Sequence, residues 1–282
     1  MKKNFIIEKR GHDYCALVSE NGEIMASLNV KDWDTMFFKR KFGILNPYIR
    51  NLLRLDNDGI NYVLDNLLSF ADKNQFRLVE IQCPVTAIPL IPLLEEKNFR
   101  MVDTRITFIT LQKKLNLNKP SSNIGMIMLA ERGDLDQILH LTHQSFTNNP
   151  FFFSRYKDKR YFTEEEIERY YTAWIENHIE EQNTIFGCLK NSDKVIGYNI
   201  YKLIGLHNDK PLYKTILVAV DPDFRGQKAQ MFMESTLLNY IPEDEFYIDD
   251  TTQLTGTAAI KNHLRSQKTL YNISLFFYRP AN

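Results

Sequence analysis

The sequence is short of three things, and each shortage excludes a class of protein. Among 282 residues there are three cysteines, Cys15, Cys83 and Cys188. They are odd in number, lie far apart and form no C-x-x-C pair, so they encode neither a disulfide framework nor a zinc ribbon and read as reduced core thiols. Long apolar runs are missing too. The longest, AIPLIPLLEE at 87–96, is short and proline-broken, too little to span a bilayer. The opening MKKNFIIEKR lacks the apolar stretch of a signal peptide, so a cytoplasmic protein with no membrane partner is expected. Excess charge is the third absence. Lys plus Arg and Asp plus Glu number 35 each, which leaves no long-range field to gather nucleic acid or an acidic membrane.

The chain is 44% hydrophobic and 12% aromatic, enough for a substantial core and most naturally two domains. Apolar periodicity gives way to Lys, Asn, Pro and Ser in LQKKLNLNKPSSNIG, which sets the expected domains at 1–115 and 124–282 with a linker near 115–123. In the first, CALVSE and IMASLNV read as a hairpin around NGE. Ile60, Val63, Leu64, Leu67 and Leu68 then recur at helical spacing, followed by FRLVEIQCP as a strand, IPLIPLLEEKNF as a short helix and VDTRITFITL as a strand. The second domain reads helix, helix, hairpin, strand, helix, strand, helix, strand. Its second helix opens on Thr163 and Glu166, a capping box, with Glu164 and Glu165 favouring the same dipole end. The expected class is α/β, with a smaller α+β domain ahead of a mixed-sheet domain.

Chemistry concentrates in VDPDFRGQKAQ, residues 220–230, where the strand PLYKTILVAV runs straight into the amphipathic RGQKAQMFMESTLLNYI. Such a turn leaves backbone N–H groups unpaired at the positive end of a helix dipole, a ready anion site. Glycines in it permit positive φ and let a diphosphate approach the backbone; here Gly226 is the single one.

These residues and the order of elements resemble the GNAT superfamily of N-acetyltransferases, in which a V-x-P strand end leads into R/Q-x-x-G-x-G/A. Val220, Pro222 and Arg225 match that pattern, while Lys228 and Gln230 replace its later glycines. WDTMFFKRKFG, EEKNFRMVDTRITF, FSRY with YYTAWIENHI, and TQ…AA are similar to pieces of two-domain sugar N-acetyltransferases of the TDP-fucosamine acetyltransferase type. The resemblance implies an acetyl-CoA donor held by Ala219, Val220, Arg225, Gly226, Gln227, Lys228, Ala229 and Gln230, with no metal. It implies a small amine acceptor, such as a nucleotide-linked amino sugar, met by Phe153, Arg155 and Tyr198. In that family the helix after the TQ strand carries an Asn and, seven residues on, a proton-donating Tyr; Gly256 and His263 stand there in this chain.

His263 therefore becomes the candidate acid, since an imidazole titrates near neutrality. Asp250 is the candidate to orient or deprotonate the amine, because Asp249 and Asp250 are adjacent on a strand and face opposite ways. His140 and His143 share a helical face, but no carboxylate or Cys at metal spacing joins them, so zinc is not expected. Phe151, Phe152 and Phe153 beside Arg155 in NNPFFFSRYKD suit a base and a diphosphate, and core packing accounts for the phenylalanines equally. Trp33, Phe37 and Phe38 read as core and inter-domain packing. The replaced glycines, Asn and Tyr also fit a second reading, a catalytically impaired protein of this fold that works as a binding or interaction module.

Overall fold

The computed structural model describes residues 5–114 and 123–280. Most of the expected linker, 115–122, lies outside them. By contacts the chain divides into Met1–Arg105 with Ile273–Asn282, and Ile106–Asn272. This partition differs from the one drawn on the sequence because Ser274–Pro280 pairs antiparallel with Leu78–Pro84, which carries the end of the chain into the first unit.

The first unit builds one sheet from β1 (Phe5–Arg10), β2 (Tyr14–Ser19), β3 (Ile24–Val30), β4 (Phe42–Pro47) and β5 (Leu78–Pro84), with the end of the last strand beside β5. Pairing is antiparallel from β1 to β4 and parallel between β4 and β5. Three helices precede β5: α1 (Asp32–Phe38), α2 (Ile49–Leu52) and α3 (Asn57–Lys73). In α3 the expected periodicity buries Ile60, Val63, Leu64, Leu67 and Leu68, and Asp56 caps it by accepting from the Gly59 N–H. Helix α4 (Leu90–Glu96) follows, then β6 (Arg100–Lys113), along which the chain passes into the second unit. Phe38 is buried as expected, whereas Trp33 is 41% exposed and stacks on Phe37.

The second unit orders its strands β6, β11, β10, β9, β8, β7. They are β7 (Met126–Leu129), β8 (Thr184–Asn191), β9 (Lys194–His207), β10 (Lys210–Val220) and β11 (Glu245–Gln253), and the final strand β12 (Thr269–Pro280) leaves this unit at Asn272. The helices are α5 (Leu135–Thr142), α6 (Glu164–Ile179), α7 (Ala229–Leu237) and α8 (Thr257–Arg265). The capping box of α6 forms: Thr163 Oγ1 accepts from the Glu166 N–H, and the Glu166 carboxylate accepts from the Thr163 N–H.

Two glycines set how α7 docks. A Cβ on Gly187 would lie 2.1 Å from Leu237 Cδ2, and one on Gly197 would lie 3.1 Å from Met233, so α7 packs directly on bare strand backbone. Because side chains alternate along β9, Gly197, Asn199 and Tyr201 face α7 while Tyr198 faces the other way, where its hydroxyl lies 2.8 Å from Thr142 of α5. Helix α7 is shorter than its amphipathic pattern suggested, and Met231 stays 37% exposed while Met233 is fully buried. The three cysteines are free and buried. Among the described residues no helix is long and apolar enough to cross a membrane.

Candidate active site

The site grows from the place where β10 and β11 part. Their parallel pairing covers only Leu212–Lys214 against Tyr247–Asp249, yet β10 runs on to Val220 and β11 to Gln253. Beyond that fork β10 keeps, among the described residues, only its partner β9, against which the register shifts between Thr215 and Leu217. Such a fork leaves one edge of β10 without a backbone partner. The Asp221 N–H donates to Ile196 O at 2.8 Å on the β9 side. Ladder groups alternate in direction along an antiparallel strand, so Val220 presents its N–H to the parted edge and Ala219 turns its own towards β9.

At the end of β10 the chain makes a tight turn. Asp221 shapes it by accepting from the Asp223 N–H at 3.0 Å, and is itself held by Lys194 at 2.7 Å. That ammonium keeps the Asp221 carboxyl below its ordinary pKa, against the desolvation that acts the other way. Arg225 folds back, its Nε donating to Val220 O at 3.0 Å. Next come two residues in the left-handed region, Gly226 at φ +78° and Lys228 at φ +63°. Lys228 stands where the resembling motif has a glycine, and it adopts the backbone conformation that glycine favours, at a cost of about 1 kcal/mol.

The consequence for the backbone is clear. From Gly226 to Met231, six consecutive N–H groups make no hydrogen bond of ordinary geometry to the protein among the described residues, and the first such bond of α7 is Phe232 N–H to Lys228 O at 3.0 Å. Among the described residues no side chain caps α7. Unpaired amides converging on a helix N-terminus hold anionic oxygens without reorganisation. Gln230, the second replacement, has another effect: its Oε1 accepts from Asn262 Nδ2 at 2.9 Å and ties the start of α7 to α8.

Beneath the fork lies a buried charged cluster that the sequence did not signal. Asp250 accepts from Thr215 Oγ1 at 2.5 Å and from Lys268 Nζ at 2.7 Å. Lys268 also pairs with Glu234 of α7. Burial works against charge on Lys268, but the Asp250 and Glu234 carboxylates outweigh it and raise its pKa; burial raises that of Glu234 despite Lys268. His263 packs its ring on Phe108, centroids 5.0 Å apart. Burial depresses it to about pKa 4, with Asp250 pulling it up and Lys268 pushing it down. At neutral pH it is an uncharged imidazole.

Other expected site residues are placed differently. Arg155 is buried, its Nη2 donating to Tyr156 Oη at 3.0 Å and its guanidinium over that ring, so it serves the aromatic packing of its own loop. Tyr198 is buried on the face away from α7. Both side chains are buried. From the same loop Phe153 remains 43% exposed and Phe151 90%. Among the described residues no group of three or more His, Cys, Asp or Glu side chains converges as metal ligands would.

A mixed sheet forked between its two parallel neighbours, with a strand, turn and helix N-terminus at the fork, decides the architecture. The chain has the fold of the GCN5-related N-acetyltransferases. A GCN5-related N-acetyltransferase from Sphaerobacter thermophilus superposes with a TM-score of 0.63 at 12% identity over 97% of this chain and 82% of its own. A tandem GNAT protein from the clavulanic acid biosynthesis pathway gives 0.56 at 10% identity over 95% and 82%. A GCN5-related N-acetyltransferase from Kribbella flavida gives 0.54 at 9% identity over 99% and 90%. No family model matches the sequence, and no curated protein matches it. Identities this low carry the GNAT fold and nothing finer.

Proposed function

We propose that this chain is an N-acetyltransferase whose second unit takes acetyl-CoA as donor and a primary amine on a small polar molecule as acceptor, a nucleotide-linked amino sugar being the finer form of that acceptor. One observation carries the reading: six unpaired amides at the N-terminus of α7 stand beside a parted strand edge. The amides suit a diphosphate, and the edge suits an extended arm that needs backbone partners. Bound acetyl-CoA would supply an activated acyl group.

The chain's own part is positioning and electrostatics. The amides of Gly226 to Met231 would hold the phosphoryl oxygens. The Val220 N–H, directed at the parted edge, is the donor for a developing oxyanion. Asp250 has both carboxylate oxygens engaged, so in this reading it positions β11 instead of taking a proton from the amine. A thiol leaving group is acidic, near pKa 8.5, and departs without strong proton donation, so neutral His263 is not required as an acid. The exposed rings of Phe151 and Phe153 offer a stacking surface for a base or sugar.

Calorimetry with acetyl-CoA, followed by thiol release in the presence of amino sugars and nucleotide-linked amino sugars, tests this. Micromolar to millimolar binding with acceptor-dependent thiol release is expected. Absence of heat at millimolar acetyl-CoA would end the proposal.

A further inference from the structure

The second unit holds a cavity that the proposed donor site leaves unused. It measures about 340 Å³, within the range of small-molecule pockets, and opens between α5, the first residues of β9 and the turn that follows β10. Tyr198 reaches Thr142 of α5 on this face of the sheet, whereas α7 and its unpaired amides lie on the other. Asp136, His140 and Gln144 line the cavity from one side of α5, because residues four apart stack along a helix. Asp223 lines it from the turn. Between them Asp221 holds Lys194 at 2.7 Å, and the buried Leu141 and Val195 supply an apolar wall.

The lining is rich in hydrogen-bond acceptors and short of positive charge. It carries three carboxylates and one ammonium, and that ammonium is already set against Asp221. The side chains of Asp136, His140, Gln144 and Asp223 make no hydrogen bond or ion pair with the described residues. Two carboxylates therefore stay uncompensated, with the Gln144 amide oxygen and a ring nitrogen of His140 as further acceptors. A phosphate would be repelled here. An ammonium, with three N–H donors and no acceptor to satisfy, is the complementary group. The space and the Leu141–Val195 wall suit methylenes, and among the described residues no three His, Cys, Asp or Glu groups converge as a metal ion would require. We propose that this cavity binds a small organic dication, two ammonium groups joined by methylenes as in a diamine or polyamine. Asp136 and Asp223 pair its charges, and Leu141 and Val195 pack its chain. The site stands apart from the acetyl-CoA reading, since none of its lining residues lies within Gly226–Met231.

Calorimetry on the full chain at low ionic strength tests this, with putrescine and spermidine as ligands and magnesium chloride and inorganic phosphate as charge controls. One site of roughly millimolar or tighter affinity is expected, stronger for spermidine than for putrescine and silent to phosphate. Asp136→Asn/Asp223→Asn should weaken spermidine binding about tenfold with circular dichroism unchanged. Both residues are exposed, and the turn engages Asp223 only through its backbone. Unchanged affinity in the double variant overturns the proposal. Displacement of spermidine by an equal concentration of magnesium overturns it too, since charge alone would then account for the binding. No heat from either amine at tens of millimolar removes the site, and a separate titration with acetyl-CoA decides the donor reading independently.

Discussion

His263 couples the fold to pH in a way that can be worked through. Its ring is buried, packs on Phe108 and is depressed to about pKa 4, chiefly by desolvation. In the unfolded chain an exposed imidazole titrates near 6.5. Above that value both states carry it neutral, and the full stability is present. As pH falls through 6.5 the unfolded chain takes up a proton that the folded chain refuses, so stability declines until the folded pKa is reached. From pH 7 to pH 5, linkage across those two values removes about 2 kcal/mol. Most carboxylates titrate below that window, and the other histidines and Glu234 cancel when two proteins are compared. Urea unfolding at pH 7, 6 and 5 should therefore show wild type losing about 2 kcal/mol more than His263→Phe, which keeps an aromatic ring against Phe108. Parallel loss in the two proteins would refute the burial argument, and with it the claim that His263 is uncharged at the site.

Two further outcomes follow from the turn and from the docking of α7. Lys228→Gly should stabilise the fold by up to about 1 kcal/mol, since the native φ of +63° is free of strain for glycine, and should tighten acetyl-CoA binding by removing a Cβ. Combined with Asn262→Ala, which releases the Gln230 bridge between α7 and α8, it should tighten binding further; calorimetry reads both, and looser binding in either protein would count against the cradle. Gly187→Ala should cost about 1–3 kcal/mol in urea unfolding, because the new Cβ falls 2.1 Å from a fully buried Leu237.

The sequence was most legible where a residue's job is local. Thr163 with Glu166 announced α6 because a capping box needs only four consecutive residues. The stripe from Ile60 to Leu68 announced α3 because one face of a helix meets one core. Strands without a buried face were not announced: β1 carries Glu8, Lys9 and Arg10 and is exposed along almost its whole length, and β7 is four residues with one buried. Their existence depends on partners distant in the chain. At the site, the strand, turn and helix were readable in VDPDFRGQKAQ, and so was the fact that Lys228 and Gln230 stand where glycines were expected.

What those replacements do was settled only in three dimensions. A side chain's identity does not reveal its φ, yet the left-handed backbone at Lys228 is what keeps the turn curved. Nor does sequence show that Gln230 reaches Asn262, or that Glu234, Asp250 and Lys268, spread over 35 positions, meet beneath one fork. Local signals fixed which elements form, because capping and periodicity act within a few residues. Charge state, access and pairing were decided by burial, which belongs to the assembled chain: it neutralised His263, enclosed Arg155 and Tyr198, and set two carboxylates around one ammonium where the strands divide.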